Sequence, residues 1–534
     1  MTENGLARAG RERLPTWLEG YGVVRPFAGA FAHLGVATRA PVRLHAVRPG
    51  QAKLLPSLEA AIDACELKDG ATVSFHHHLR NGDAVLNAVL AEMARMGLRD
   101  LKVAASSLFP VHAPLVEHIR RGVVTGISTG YVAGPVADAI ARGELVTPAR
   151  MLTHGGRARA IEAGELPIDA AFVAAPAADA YGNVNGTGGP AACGTLGYPM
   201  VDAAGAARVV AVTDNLVPYP ACPIEIGQDQ VDFVVAVDSI GDARQIASGT
   251  TRPTTSSEGL RIAAMAARVI EASGLLVDGF SFQTGAGGVS LAVAACLKEV
   301  MRERRVRGSF AAGGITGSIV DMLEAGLFRT LLDVQCFDLR AVDSYRRNPA
   351  HQAMSASMYA NPHNRGAVVN QLDAMILGAA EIDLDFNVNV TTGATGAIIG
   401  GSGGHSDTAA GAKLALVTTR LTGGPYPKIV ERVRTVATPG ETIDAVVTEA
   451  GVAVNPRRPD LRDRLLDAGI AVAPIDQLRA AAARQAMTSS DAPEPASDRV
   501  VAVVEYRDGT VIDLVRQVRA SAPAAAGREG TEPS

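Results

Sequence analysis

The feature that most constrains what this chain can fold into is a rhythm: short β-branched, apolar runs recur between longer stretches of helical periodicity. Thr72–Phe75, Leu101–Ala104, Ala170–Ala174, Val209–Thr213 and Val231–Val237 read as strands, with helical patterns such as Ala84–Met96 between some of them. Leu276–Phe282, Leu331–Phe337, Ile382–Val390, Leu414–Thr418 and Val446–Val447 play the same part further on. Strands separated by a helix-length connection pair in parallel, and a parallel sheet needs helices on both faces. The expected fold class is therefore α/β: two tandem α/β units with mainly parallel sheets covered by helices. A length of 534 residues agrees, because a single core stops growing well before that size.

Punctuation sets the expected boundaries. The Thr/Ser/Pro-rich stretch Ser248 to Glu258 separates the halves, and Ala480 to Asp498 is Ala/Pro/Ser-rich like a linker. Beyond it, Val500–Tyr506 and Thr510–Val518 flank Asp508-Gly509 and form a terminal hairpin pattern. The division is an N-terminal extension (1–30), two domains (31–250 and 251–480), and a linker, hairpin and disordered tail (481–534). No repeat of solenoid or propeller length is present.

Charge and cysteine usage exclude several classes. Lys and Arg number 50 against 55 Asp and Glu, a net charge of −5, with no long basic stripe, so nucleic acid is not expected as a partner. The five cysteines show no CxxC spacing, which argues against a zinc site or a disulfide framework. No apolar run reaches membrane-spanning length, and the charged N-terminus lacks an apolar segment behind it. A cytoplasmic protein without a membrane partner is expected.

Three motifs carry chemistry. Phe282-Gln-Thr-Gly-Ala-Gly-Gly-Val-Ser-Leu runs from an expected strand through a glycine turn into an apolar helix, Val289–Val300. Backbone N–H groups at Gly285, Gly287 and Gly288, with Gln283 and Thr284 beside them, suit a phosphate, a carboxylate or a developing oxyanion; a tight strand-to-helix turn that binds nothing is the plain alternative. The segment Thr391 to Thr408 holds six glycines between Gly393 and Gly404. Such density implies that the backbone itself fits around something, with Gly401, Gly403 and Gly404 as donors and His405 and Asp407 as candidate substrate-binding residues; a flexible linker is the plain alternative, though strongly apolar strands flank the segment. Gly400-Gly-Ser-Gly-Gly404 matches the Gly-x-Ser-x-Gly pattern literally, but no strand leads straight into it, so Ser402 is not expected to be a nucleophile.

The third motif is Ser74-Phe-His-His-His-Leu-Arg-Asn-Gly-Asp83. Alternation along an extended chain sends His76 and His78 to one face and His77 to the other, a poor geometry for a metal, so no metal site is expected here. An anion-reading loop fits better, with Arg80 forking onto a carboxylate and His76, His77, His78 and Asn81 nearby. Tyr345-Arg-Arg-Asn348 and the stretch from Tyr359 to Arg365 offer further cations, Arg365 among them, or are ordinary loop caps.

In order along the chain, FHHHLRNGD (Phe75 to Asp83), FQTGAGGVSLAV (Phe282 to Val293), FAAGGITGSIVDMLEAGLF (Phe310 to Phe328), GGSGGHSDTAAGAK (Gly400 to Lys413), TEAGVAVNPRRPDL (Thr448 to Leu461) and VVEYRDGTVIDLVRQV (Val503 to Val518) resemble the CoA-transferase superfamily, and within it the citrate lyase α-subunit family. The resemblance runs from about Gly22 to Val518. It implies NagB/RpiA-like domains with the acyl site at their interface. It also implies citrate CoA-transfer in a complex with a lyase β subunit and an acyl carrier protein (the γ subunit). Acetyl carrier and citrate would give citryl carrier and acetate, after which the β subunit would release oxaloacetate. No cofactor is expected to be attached to this chain; the carrier's phosphoribosyl-dephospho-CoA thioester is the substrate, with acetyl-CoA as surrogate.

One departure from the wider superfamily matters. Acetate-type CoA-transferases carry a glutamate about eight residues before the aspartate of the segment resembling Ile319 to Gly326, and that position is Gly313 here. A glycine cannot form a glutamyl thioester, so the resemblance implies a ternary complex and a mixed citric–acetic anhydride. The alternatives are a citramalate lyase α chain, a carboxylate CoA-transferase using free CoA thioesters, or a non-catalytic scaffold subunit.

Overall fold

Helix Val85–Arg95 shows how the layers arise. Val85, Leu86, Val89, Leu90 and Met93 recur at helical spacing and are its buried residues, so one stripe packs on the sheet while the opposite side meets solvent. Helix Leu58–Ala64 is capped by Ser57, helix His154–Glu162 by Thr153 and helix Ser257–Ala272 by Ser256, each side chain accepting a hydrogen bond from a first-turn N–H. The computed structural model describes residues 14–41, 45–247, 252–488 and 496–518.

Two large sheets result. The first has ten strands in the order Val511–Arg516, Val500–Glu505, Ala149–Met151, Val124–Thr129, Leu101–Ala105, Thr72–Phe75, Ala170–Ala175, Arg208–Thr213, Phe233–Ala236 and Leu54–Leu55. Every pairing in it is parallel except that between its two last strands in sequence, Val500–Glu505 and Val511–Arg516. The second has eight, in the order His351–Ala353, Phe328–Cys336, Gly308–Ile315, Ser281–Thr284, Ala374–Leu377, Leu414–Thr418, Ala445–Thr448 and Gly451–Val454. Only its final pair is antiparallel. The α/β class with mainly parallel, helix-flanked sheets is what the rhythm predicts.

Some elements differ from expectation. The terminal hairpin forms, but it is no appendage: Ala502–Val504 pairs with Ala149–Met151, so the chain returns from the second sheet to extend the first. Ile382–Val390 is not one strand. Asp383 accepts hydrogen bonds from Asp385 and Asn387, and Phe386 adopts φ +65, so the run folds into the small hairpin Glu381–Ile382 and Val388–Asn389. The central strand there is Ala374–Leu377, wholly buried. Leu276–Phe282 starts late, because Asp278-Gly279 turns with Gly279 at φ +92, and the strand is Ser281–Thr284. Helix Ile475–Gln485 runs into the expected linker.

Met1 to Gly10, Ser248 to Thr251, residues 489–495 and the tail after Ala520 lie outside the described residues. Among those described, no helix is long and apolar enough to cross a membrane.

Candidate active site

A cavity of about 600 Å³ lies between the two sheets, and the chain enters it where strands end. His77 follows Thr72–Phe75, Ser107 follows Leu101–Ala105, Tyr131 follows Val124–Thr129 and His154 follows Ala149–Met151. From the other side, Gly285 follows Ser281–Thr284, Gly378 follows Ala374–Leu377 and Thr419 follows Leu414–Thr418. The carboxyl ends of parallel strands are where helix N-termini and loops converge, so the placement follows from topology. Among the described residues three cationic side chains, Arg80, Arg420 and Lys428, line the cavity, and no Asp or Glu does.

Arg80 is the distinctive residue. It is 6 % exposed and held at φ +52, a conformation L residues seldom adopt. Its guanidinium sits 4.7 Å from the Phe109 ring centroid and 5.5 Å from that of Phe337. Among the described residues no carboxylate pairs with it and Nε has no hydrogen-bond partner. Burial pulls its pKa down to about 10, against the fields of Tyr131 and Tyr198. Lys428 is likewise lowered, to about 8, by burial and then by Arg420. Arg420 itself is engaged with Glu258 at 3.2 Å and Ser256 at 2.6 Å. A desolvated cation without a counterion asks for an anionic ligand.

His77 and His154, beside Arg80, are held towards the neutral form. His77 stacks on His154 with centroids 5.6 Å apart and bonds Ser106 Oγ through Nδ1 at 2.6 Å. Burial, then His154 and Arg80, hold the His77 pKa well below normal; burial, Arg157 and Arg80 bring His154 to about 3. Tyr198 packs 4.7 Å from both rings.

The two glycine turns behave differently. Gly285 donates its N–H to the Ile376 carbonyl at 2.7 Å and Gly403 to the Gly130 carbonyl at 3.0 Å, so neither is a free donor. Gly287, Gly288, Gly401 and Gly404 donate no hydrogen bond to another described residue. Much of the second turn's glycine density is a packing requirement. A Cβ on Gly401 would fall 2.4 Å from the Gly130 carbonyl oxygen, and one on Gly404 2.6 Å from the Tyr359 hydroxyl. A Cβ on Gly287, by contrast, would meet only Ser290, its Oγ at an ordinary contact distance of 3.5 Å. Ser402 lines the cavity with Oγ 2.9 Å from Ser406 Oγ, a contact within its own helix turn.

Of the residues singled out from sequence, His77, Arg80, Gln283, Thr284, Gly285, Gly287, Gly288, Gly401, Gly403, Gly404 and His405 line the cavity. Others do not. His76 turns away, Nε2 3.2 Å from Asp202, while His78, in the turn beyond the strand, lies beside both with ring centroids 6.3 Å from His76 and 6.4 Å from His77. Asn81 accepts from the Val111 N–H, and Arg365 is exposed. His405 is saturated, with Nε2 bonding the Gly378 carbonyl at 2.8 Å and Nδ1 the Thr438 hydroxyl at 2.7 Å. Asp407 is buried behind the wall, accepting from Thr153 Oγ1 and the Gly155 N–H at 2.9 Å each, 3.7 Å from Arg507 of the terminal hairpin. It pins the start of helix His154–Glu162 to the second glycine turn. Tyr131, His154, Tyr198, Tyr359, Arg420 and Lys428 line the cavity without a local sequence signal.

Gly313 sits at a bulge in Gly308–Ile315 with φ +92, and a Cβ there would meet Gln283 Nε2 at 2.4 Å. Gln283 thus fills the space into which a side chain at 313 would project. Away from the cavity, Asp333, Cys336 and His351 bring potential metal-ligating atoms within 4.8 Å of one another. They already satisfy each other: Asp333 Oδ2 lies 3.0 Å from both His351 Nε2 and Cys336 Sγ.

The family described as "Citrate lyase, alpha subunit (CitF)" matches residues 51–518. The chain belongs to the citrate lyase α-subunit family. The citrate lyase α chain of Escherichia coli (strain K12) is 51% identical over 467 residues, covering 88% of this chain and 91% of that one. The Klebsiella pneumoniae chain is 47% identical over 493 residues, covering 92% and 97%. A crystal structure described as the citrate lyase α subunit of Streptococcus mutans in complex with citrate superposes with TM-score 0.92 at 46% identity, covering 97% of this chain and all of that one. A Pseudomonas malonate decarboxylase structure, at 17% identity and TM-score 0.61 over 82% of this chain and 86% of that chain, shares the fold. Membership makes this α subunit an enzyme, a citrate CoA-transferase component of citrate lyase.

Proposed function

We propose that the cavity holds citrate and the acyl thioester of a carrier arm together, at the seam of units 31–250 and 251–480, and exchanges acetyl for citryl without an acyl-enzyme. The observation that carries this reading is a buried Arg80 that, among the described residues, has no carboxylate partner and lies in a cavity lined by no acid. A citrate carboxylate oxygen attacks the acetyl carbonyl, the C–S bond breaks and its electron pair leaves on the thiolate. That sulfur then attacks the citryl carbonyl of the mixed anhydride, and the C–O bond breaks to release acetate. Arg80, with neutral His77 and His154 beside it, orients the carboxylates. Gly287, Gly288, Gly401 and Gly404 are the backbone donors for the oxyanions, while Gly285 and Gly403 set the turns. Co-binding contributes on the order of 7–11 kcal/mol through orientation, and each good oxyanion donor about 3–4 kcal/mol.

The carrier arm is a phosphoribosyl-dephospho-CoA thioester on an acyl carrier protein, with acetyl-CoA as its surrogate, and the citryl product passes to a lyase β subunit. Arg420 and Lys428 give the cavity wall the charge such an arm requires. Borohydride after incubation with acetyl-CoA is the test of the exchange route. The chain is expected to stay at its unmodified mass while exchanging acetyl for citryl; a reduced glutamyl adduct would overturn the ternary mechanism.

A further inference from the structure

Gln283 and Tyr359 form a pair that neither the anion site nor the glycine turns account for. Gln283 is 4 % exposed and Tyr359 3 %, and both line the cavity. Gln283 Nε2 donates to the Tyr359 hydroxyl oxygen at 2.8 Å, leaving Gln283 Oε1 buried without a hydrogen-bond partner among the described residues. Because that bond occupies a lone pair of the phenol oxygen, the Tyr359 proton is free to be donated elsewhere. The phenol keeps this proton at any physiological pH, since burial raises its pKa.

The pair therefore offers one acceptor and one donor, side by side, uncharged and shielded from water. Turning the amide about its last bond exchanges the two roles but leaves the same complement. Both groups are held in place. The amide lies against Gly313, where any Cβ would collide with it, and the hydroxyl lies against Gly404, where a Cβ would fall 2.6 Å away. Buried polar groups of this kind are matched in native proteins unless a ligand completes them.

We infer that Gln283 and Tyr359 read the hydroxyl of a 2-hydroxycarboxylate: the substrate O–H donates to Gln283 Oε1, and an oxygen of the adjacent carboxylate accepts from Tyr359. The pair is thus a specificity determinant for the acyl acceptor, and the inference rests on the citrate-exchange reading above. A neutral amide suits this role where a carboxylate would not, since it accepts the hydroxyl proton without repelling the neighbouring carboxylate. A site built to hydrogen-bond a substrate hydroxyl rejects the analogue lacking it far more strongly than a merely apolar pocket does.

The test compares acetyl-CoA exchange onto citrate with exchange onto tricarballylate, which is citrate without its hydroxyl, using the whole chain. The wild-type protein is expected to prefer citrate by at least about 1000-fold in kcat/KM. Gln283→Leu lowers kcat/KM for citrate while leaving that for tricarballylate within about threefold, so the preference collapses. Tyr359→Phe, which keeps the ring and its packing, lowers kcat/KM for both acids together, because the carboxylate that Tyr359 serves is common to them. Where Gln283→Leu does not fold, Gln283→Met and calorimetric binding of the two acids to the wild-type protein decide. Equal use of both acids by the wild type, a preference unchanged in a folded Gln283 variant, or undiminished use of both acids by Tyr359→Phe overturns the inference while leaving the exchange reading intact. Absence of any exchange onto citrate by the wild type overturns the exchange reading instead.

Discussion

Replacing Arg80 by Met separates what this residue does for the fold from what it does for the ligand. Without ligand the guanidinium is a buried charge with two aromatic faces and no carboxylate among the described residues. Replacing buried ionic groups by apolar residues of similar volume is often stabilising by about 1–4 kcal/mol, and methionine keeps most of the side-chain volume against Phe109 and Phe337. The strain of φ +52 is common to both residues and cancels. In a cooperative unit of about 200 residues each kcal/mol moves Tm by about 2–4 °C, so the ligand-free variant should melt about 2–16 °C above the wild type. Citrate moves the wild type alone upward and closes the gap. At about 100 times Kd it stabilises the wild type by about 2.7 kcal/mol, whereas the variant has lost the cation that binds it and should show no shift. Arg80→Lys keeps the charge without the planar fork and should fall between the two. The assay is thermal unfolding with and without citrate, at ionic strength matched with sodium chloride. If Arg80→Met melts below the wild type without ligand, the guanidinium is a structural keystone and not an unpaid charge; if citrate still raises the variant's Tm, Arg80 is not its anchor.

Two further predictions concern the scaffold. Gly313→Ala and Gly326→Ala both force φ > 0 on an alanine, +92 and +71, but Gly326 has open space where Gly313 has the Gln283 amide at 2.4 Å. Gly326→Ala should cost about 1–2 kcal/mol and Gly313→Ala about 1–2 kcal/mol more for displacing the amide from Tyr359, so equal losses of Tm would show that Gln283 does not fill that space. Stability should also fall as pH drops from 7 to 5. The His154 pKa is about 3 in the folded chain and the ordinary imidazole value in the unfolded one, so the unfolded state alone takes up this proton between them. That contribution is complete above about pH 6.5 and shrinks by up to about 2 kcal/mol at pH 5. Asp407, raised to about 6, pulls the other way, since its folded carboxyl is the first to protonate. The discriminating measurement is the slope of urea stability against pH in His154→Phe, which should be shallower than in the wild type; parallel slopes would mean that His154 is not held neutral.

What was legible in the sequence followed the range of the interactions involved. Thr72–Phe75 and Leu414–Thr418 form as expected because each is an apolar run bounded by turn residues. Ile382–Val390 misled because its hydrophobicity suits a strand while Asp383 organises a turn through hydrogen bonds to Asp385 and Asn387, which alternation does not register. At the site, Arg80 and the glycine turns stood out because each is a contiguous motif. Tyr131, His154, Tyr198 and Tyr359 did not, since each is a single residue near a strand or helix end, brought into the cavity by topology alone. His405 was chosen for being a histidine beside glycines; its partners Gly378 and Thr438 lie about thirty residues away on either side, and they occupy both ring nitrogens.

The absence of a glutamate at 313 has an electrostatic meaning as well as a chemical one. A carboxylate nucleophile there would place an anion in a cavity whose walls, among the described residues, carry Arg80, Arg420 and Lys428 and no acid. In a medium of low dielectric it would compete with citrate for Arg80. It would also meet the citrate carboxylates as a like charge, which raises the cost of bringing the acceptor to the thioester. An enzyme whose acceptor is a small monocarboxylate tolerates that cost in exchange for a covalent intermediate. One whose acceptor brings three carboxylates gains more by leaving the wall cationic, filling the vacated volume with a neutral amide, and letting the acceptor's own carboxylate be the nucleophile. On this reasoning the glycine at 313 and the glutamine at 283 are one adaptation: reintroducing a carboxylate is expected to weaken citrate binding before it creates any new chemistry, and tighter citrate binding by a Gly313→Glu variant would refute the argument.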